Sequence, residues 1–312
     1  MQKILITGGT GLIGSALTKE LINKGYEVII LTRRSPNKKS TKESQISYAN
    51  WDVEEQTIDK AAIEKSDHII HLAGENVAEG RWTKKRKQEI VDSRVKSGLL
   101  LVKALREIPN KIQTIVSASA IGWYGPDPQI PNLAPFVETD NAATDFLGET
   151  SNQWEAAIAP VTELDKRLVI LRTGIVLSNE GGAYAEFKKP LKFGVASVLG
   201  TGKQIISWIH IDDLVRMYIE AIENKNLQGV YNAVAPHPVT NEQLIKQMAD
   251  TKGRGHLTIP VPTVALKIAL GEMSIEVLKS TTVSSQKIED AGFSFTFPNI
   301  GTALFNLNKK AS

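Results

Sequence analysis

Short apolar, β-branched runs recur through the first half of the chain, each followed by residues whose apolar positions fall at helical spacing. Ile4–Thr7, Val28–Leu31, Ile46–Asn50, His68–Leu72, Thr114–Ala118 and Leu168–Arg172 read as strands. Between them the pattern predicts helices to Lys24, near Asp59–Lys65, from about Thr83 to Glu107, and around Thr144–Ala159. This βαβα order predicts an α/β protein with a parallel, doubly wound sheet carrying helices on both faces.

After Leu177 the pattern changes. Gly181-Gly182 opens a short helical stretch, and Val195–Val198 and Gln204–Trp208 read as short strands around Gly200-x-Gly202. Asp212–Asn224 is a helix, Val230–Ala233 one more sheet strand, and Asn241–Asp250 a helix with Thr240 as its cap. Pro260-x-Pro262 punctuates a further helical stretch to Leu270. The predicted division is a sheet domain of residues 1–177, with 206–236 returning to it. Residues 178–205 and 237–312 then form a smaller C-terminal α/β lobe. There is no internal repeat, and Pro126–Pro135 is a proline-rich loop long enough to be functional.

The first strand runs into Gly8-Gly9-Thr10-Gly11-Leu12-Ile13-Gly14 and then directly into a helix. Strand, glycine turn and helix start together make the Rossmann-type arrangement that holds a dinucleotide pyrophosphate. The spacing is G-x-x-G-x-x-G. Gly8 suits a tight turn, Gly11 lets the backbone approach the phosphates, and Gly14 lets the helix pack closely on the strand. Thr10, Leu12 and Ile13 complete the cradle.

The second strand ends in Arg33-Arg34. Roughly 20 residues past the last glycine an NAD site carries an acid for the ribose 2′-hydroxyl, whereas an arginine accommodates a 2′-phosphate. A guanidinium fork suits phosphate oxygens, so NADP is the expected cofactor. The blander reading, that these arginines open the solvated loop Ser35–Ser44, applies to one of them.

Composition narrows the function classes. The 312 residues carry 37 Lys+Arg against 34 Asp+Glu, a net charge of +3, too near balance to point to nucleic acid or an anionic membrane. The densest basic run, Thr83-Lys84-Lys85-Arg86-Lys87, reads as the solvated start of a helix. With no cysteine, disulfides, zinc-thiolate sites and thiol nucleophiles are excluded. The chain starts in a core strand without signal-peptide organisation, and no apolar stretch approaches the ~20 residues needed to span a bilayer. A cytoplasmic protein, monomer or homodimer, is expected.

With these motifs placed, the chain resembles the extended short-chain dehydrogenase/reductase superfamily, which contains nucleotide-sugar epimerases and dehydratases. Within it the chain looks like the bacterial and plastid epimerase family that ends in its own C-terminal domain. The matching segments are Thr7–Gly14, His71–Asn76, Ser117–Gly125, Leu171–Leu177, Ser207–Asp213, Asn232–Pro236 and Ala291–Phe295. The resemblance implies that Asp52 contacts the adenine, and that Leu72, Ala73 and Gly74 pass beside the ribose and nicotinamide.

Superfamily enzymes use a tyrosine as general acid/base, its pKa lowered by a lysine four residues on, with a serine and often an asparagine completing the relay. Ser119 fits the serine. Where Tyr-x-x-x-Lys is due, this chain has Phe146 and Thr150, and Arg94 replaces the asparagine among the cofactor-side positions. Tyr124 and Glu75 are the other candidate catalytic groups. Tyr124 has a packing reading beside it, and Glu75 can instead serve as a helix-start carboxylate. Arg81 and Trp82 suit an anionic substrate or packing, and Glu138 is a remote candidate. His210, Asp212 and Asp213 look like a metal cluster, but Asp212 is better read as a helix cap, so no metal is expected. Two functions follow: an NADP-dependent oxidoreductase or epimerase-like enzyme on a small polar substrate, or an inactive NADP-binding sensor or scaffold.

Overall fold

The structure, a computed structural model, describes residues 1–33, 45–251 and 255–309. The first half holds β1 (Lys3–Thr7), α1 (Leu12–Asn23), β2 (Glu27–Thr32), β3 (Ile46–Asp52), β4 (Thr57–Ile58) and α2 (Lys60–Lys65). It continues with β5 (His68–His71), α3 (Lys84–Glu107), β6 (Thr114–Ala120), α4 (Phe146–Ile158) and β7 (Arg167–Thr173). Then come β8 (Ile175–Leu177), α5 (Gly182–Leu191), β9 (Val195–Leu199), β10 (Ile205–Ile206), β11 (Trp208–His210) and α6 (Ile211–Glu223). The remainder is β12 (Gly229–Ala233), β13 (Val239–Thr240), α7 (Asn241–Asp250), β14 (Leu257–Val261), α8 (Thr263–Leu270), α9 (Ser274–Leu278), α10 (Gln286–Asp290) and α11 (Ile300–Lys309).

Eight strands form one sheet in the order β12-β7-β6-β5-β1-β2-β3-β4, parallel except for the short edge strand β4. The strand residues alternate between two cores, as the two-residue period of a strand requires. Ile4, Ile6, Val28, Ile30, Val116 and Val169 face α1 and α6, and Leu5, Ile29, Leu31, Ile115 and Leu168 face α2 and α3. Chain order reverses on either side of β1, whose neighbours are β2 and β5. That switch point, at the carboxyl ends of the strands, is where open α/β sheets bind ligands.

Four helix starts are fixed by Asp or Thr side chains of the usual capping type. Asp59 accepts from the amides of Ala61 and Ala62, and Thr83 from Arg86. Asp145 accepts from Gly148, and Thr240 forms a capping box with Gln243. The start of α6 corrects the sequence reading. Its cap is His210, whose Nδ1 accepts from the Asp212 amide at 3.1 Å, while Asp212 lies inside the first turn. Asp213 is buried and accepts from the amides of Thr296 and Phe297 and from Arg216.

A third core gathers Leu177, Tyr184, Trp208, Leu244 and Met248 with Leu304 and Leu307 of α11. Of the stretch 206–236, only β12 enters the large sheet; β11 pairs with β8 instead. Residues 280–285 then thread between the proline-rich loop and β10, bridging Phe136 to Val283 and Ile206 to Thr281. No helix among the described residues is long and apolar enough to cross a membrane.

Candidate functional site

The glycine turn is anchored by a buried knot beneath it. Thr7 Oγ1 accepts from the amides of Leu72 and Ala73 at 3.0 and 3.1 Å, so its own proton goes to His71 Nδ1 at 2.8 Å. His71 is therefore neutral with its proton on Nε2, facing Ser97 Oγ at 3.4 Å. Burial, with Arg94 nearby, pushes the imidazole down to about 4. This knot ties the end of β5 to the end of β1, and it accounts for the placement of Leu72 and Ala73.

Gly8 has φ +68°, and a side chain there would press on the Leu72 carbonyl. At Gly14 a Cβ would lie 2.3 Å from the Gly8 oxygen, so only glycine lets α1 start this close to the turn. Gly11 differs. As the N-cap of α1 it is exposed, and a Cβ there would meet only the Gly8 oxygen, at 3.3 Å. No side chain caps α1, which leaves its first-turn amides, those of Leu12 and Ile13 included, to bind an anion. Thr10 is exposed at the tip, and the Leu12 side chain turns away against Gly182. An open cradle of amides at the switch point fits a dinucleotide pyrophosphate.

At the end of β2, Arg33 is 77% exposed and pairs with Glu75 at 3.6 Å. Glu75 also pairs with Arg86 at 3.5 Å, so one carboxylate stands between two guanidiniums. Arg86 is only 17% exposed, which corrects the picture of the basic run as wholly solvated. Arg34 lies outside the described residues. Asp52 closes the turn after β3, its Oδ1 accepting from the amides of Glu54 and Glu55.

Arg94 packs against the loop that follows β5. Its Nη1 donates to the Glu75 and Ile90 carbonyls at 3.0 Å, its guanidinium stacks 4.9 Å from the Trp154 ring, and Gly74 packs directly on it. Burial pulls its pKa down to about 10. The arginine holds up the loop after β5 through these contacts.

The catalytic candidates separate into two places. Glu75 belongs to the Arg33 side. Ser119 and Tyr124 are buried in a network around Arg172, whose side chain is 3% exposed. Ser119 Oγ donates to Glu155 Oε1 at 2.6 Å, and Arg172 grips both Glu155 oxygens at 2.8 and 3.0 Å. Tyr124 donates to Asn232 Oδ1 at 2.6 Å and accepts from Arg172 at 3.0 Å. Burial pushes its phenol up to about 12 against the pull of Arg172. Glu138 closes the group, its carboxylate accepting from the Asn232 amide. In this arrangement the Ser119 and Tyr124 hydroxyls donate to Glu155 and Asn232. Arg172 was open to detection, since a charge inside the apolar strand Leu168–Thr173 demands a buried partner.

Phe146, at the start of α4, stands against Trp82 edge to face at 4.9 Å and under Lys87 at 5.1 Å. Thr150 is buried and donates to the Phe146 carbonyl at 2.6 Å. The α8–α9 segment straps across this region. Arg81 donates to the Ile268 carbonyl, Lys87 pairs with Glu272, and Lys279 pairs with Asp145 at 3.4 Å and Glu276 at 2.7 Å. A cavity of about 660 Å³ lined by Gln2, Tyr26, His68, Thr114, Arg167 and Glu223 lies at the opposite, amino ends of the strands. It is therefore not the dinucleotide site.

Residues 4–152 match the model of the NAD dependent epimerase/dehydratase family, and 261–307 match a domain of unknown function, DUF1731. Epimerase family protein SSP1921 of Staphylococcus saprophyticus is 37% identical over 98% of this chain and 99% of its own length. The chain belongs to the epimerase family. Another member, YfhF of Bacillus subtilis, is 35% identical over 98% of both chains. The crystal structure of human epimerase family protein SDR39U1 with NADPH superposes with a TM-score of 0.85 at 28% identity, covering 99% of each chain. In this epimerase-family chain the superfamily fold is thus present.

Proposed function

We propose that the protein binds NADPH at the β1–α1 turn and exchanges hydride between it and a small polar carbonyl or hydroxyl compound. The substrate sits between the carboxyl ends of the strands and the C-terminal lobe. The observation that carries the cofactor reading is the open, uncapped start of α1 beside Gly11 at the switch point, with Arg33 at the end of β2. The NADPH bound by the human family member supports the same choice. The cofactor supplies the hydride; this chain's residues orient it and exclude water. Gly8, Thr10, Gly11, Leu12 and Ile13 hold the pyrophosphate through their backbone, and Leu72, Ala73 and Gly74 line the path to the reacting end.

A second reading, a sensor that binds NADPH without turning it over, is favoured by the committed Ser119 and Tyr124 hydroxyls and by Phe146. NADPH absorbance in the presence of carbonyl compounds and sugar nucleotides separates the two. Turnover supports the enzyme; tight NADPH binding with no turnover across the panel supports the sensor.

A further inference from the structure

The Glu75 carboxylate lies between two guanidiniums drawn from separate elements, Arg33 at the end of β2 and Arg86 in the first turn of α3. Each guanidinium reaches a different oxygen, at 3.6 Å for Arg33 and 3.5 Å for Arg86, longer than a well-formed charged hydrogen bond. One carboxylate thus bridges two cations loosely. The oxygens of a phosphate monoester are spaced much as those of a carboxylate, and a phosphate carries more charge.

The surroundings hold the Glu75 backbone and the Arg86 guanidinium, while Arg33 is largely exposed. The Glu75 amide donates to Ser93 Oγ at 2.9 Å, and its carbonyl accepts from Arg94. The Arg86 guanidinium is held by the Asn76 carbonyl at 2.8 Å and Glu89 at 3.1 Å. Rotation of the Glu75 side chain therefore opens a slot beside the held Arg86, within reach of Arg33.

The geometry points to Glu75 as a placeholder for the cofactor's 2′-phosphate, and to Arg86 as the second phosphate ligand beside Arg33. This rests on the NADP reading above. When the 2′-phosphate enters, the Glu75 carboxylate leaves the slot for solvent and the two arginines close on the phosphate. NADH brings no such anion and leaves the pair of bridges as it is. Glu75 then sets how strongly the protein prefers NADPH, because its carboxylate competes with the phosphate for the same donors.

The experiment is calorimetric titration of NADPH, NADH and adenosine 2′,5′-bisphosphate into wild type, Glu75→Gln and Arg86→Gln. Unliganded melting curves check that each variant is folded. Glu75→Gln is expected to tighten NADPH and the bisphosphate several-fold and to leave NADH unchanged. Arg86→Gln should weaken both phosphate-bearing ligands on the order of tenfold and spare NADH. Should Arg86→Gln fail to fold, Arg86→Lys keeps the charge without the fork and is expected to give a smaller, still NADPH-selective loss. Equal affinity of wild type for NADPH and NADH overturns the NADP reading, and this proposal with it. A wild-type preference for NADPH that survives the Arg86 substitution, or that does not rise in Glu75→Gln, overturns this proposal alone.

Discussion

His71 holds a neutral ring between Thr7 and Ser97 inside the sheet, and that has a cost in acid. Its folded pKa is depressed to about 4, so as pH falls the unfolded chain takes up the proton first, near the ordinary 6.5. The stability it contributes is complete above pH 6.5 and is lost as pH falls from 6.5 to about 4, a total of about 3 kcal/mol. Urea denaturation of wild type and His71→Gln across this window isolates the effect. The variant should show the shallower pH dependence, and parallel curves would mean that folding leaves the His71 pKa unchanged.

At Arg172 and Glu155 the same scale gives a second test. A buried ion pair adds little over apolar residues of similar volume, but removing one partner leaves the other charge stranded. Arg172→Met should cost about 3–5 kcal/mol, and the double change with Glu155→Leu should recover a substantial part of it. Denaturant midpoints measure both. Strict additivity of the two single losses would show that the pair is not coupled.

Among elements, the segment 279–285 is tied to the proline-rich loop. Asp127 pins it to the proline-rich loop by accepting from the Thr282 amide, Thr282 Oγ1, Ser280 Oγ and Asn132. Asp127→Ala leaves several of these donors without an acceptor, at about 1–3 kcal/mol for a buried unsatisfied group. Hydrogen exchange should speed up in residues 126–136 and 280–285 before the sheet is affected. Protection there equal to wild type would place the tie elsewhere.

The helix starts and sheet strands were legible because they depend on local signals, apolar period and capping residues such as Asp59, Thr83 and Thr240. The His210 cap was hidden, since histidine accepts only in one tautomer and here does so from a fully buried position. β14 was missed because its residues are largely exposed and carry no alternating pattern. In the site, the glycine turn and Arg33 could be read from spacing. The partners of Ser119 and Arg94 could not, because Glu155 and Trp154 come from another helix and only packing brings them in.

At the scale of the whole molecule, the carboxyl edge of the sheet presents the amide cradle of a nicotinamide-dinucleotide site. The glycines divide the work between folding and binding. Gly14→Val should unfold the start of α1, since even a Cβ there overlaps the Gly8 carbonyl. Gly11 has φ −77° and ψ 179°, a conformation a β-branched residue adopts without strain, and its Cβ would meet one atom, the Gly8 oxygen at 3.3 Å, which must give by a few tenths of an ångström. Gly11→Val should therefore keep the fold while filling the space the pyrophosphate needs. The direct measurement is NADPH binding, followed by nicotinamide fluorescence, to wild type and Gly11→Val with matched circular dichroism. The account predicts saturable binding by wild type and none by the folded variant; normal NADPH binding by Gly11→Val would contradict it.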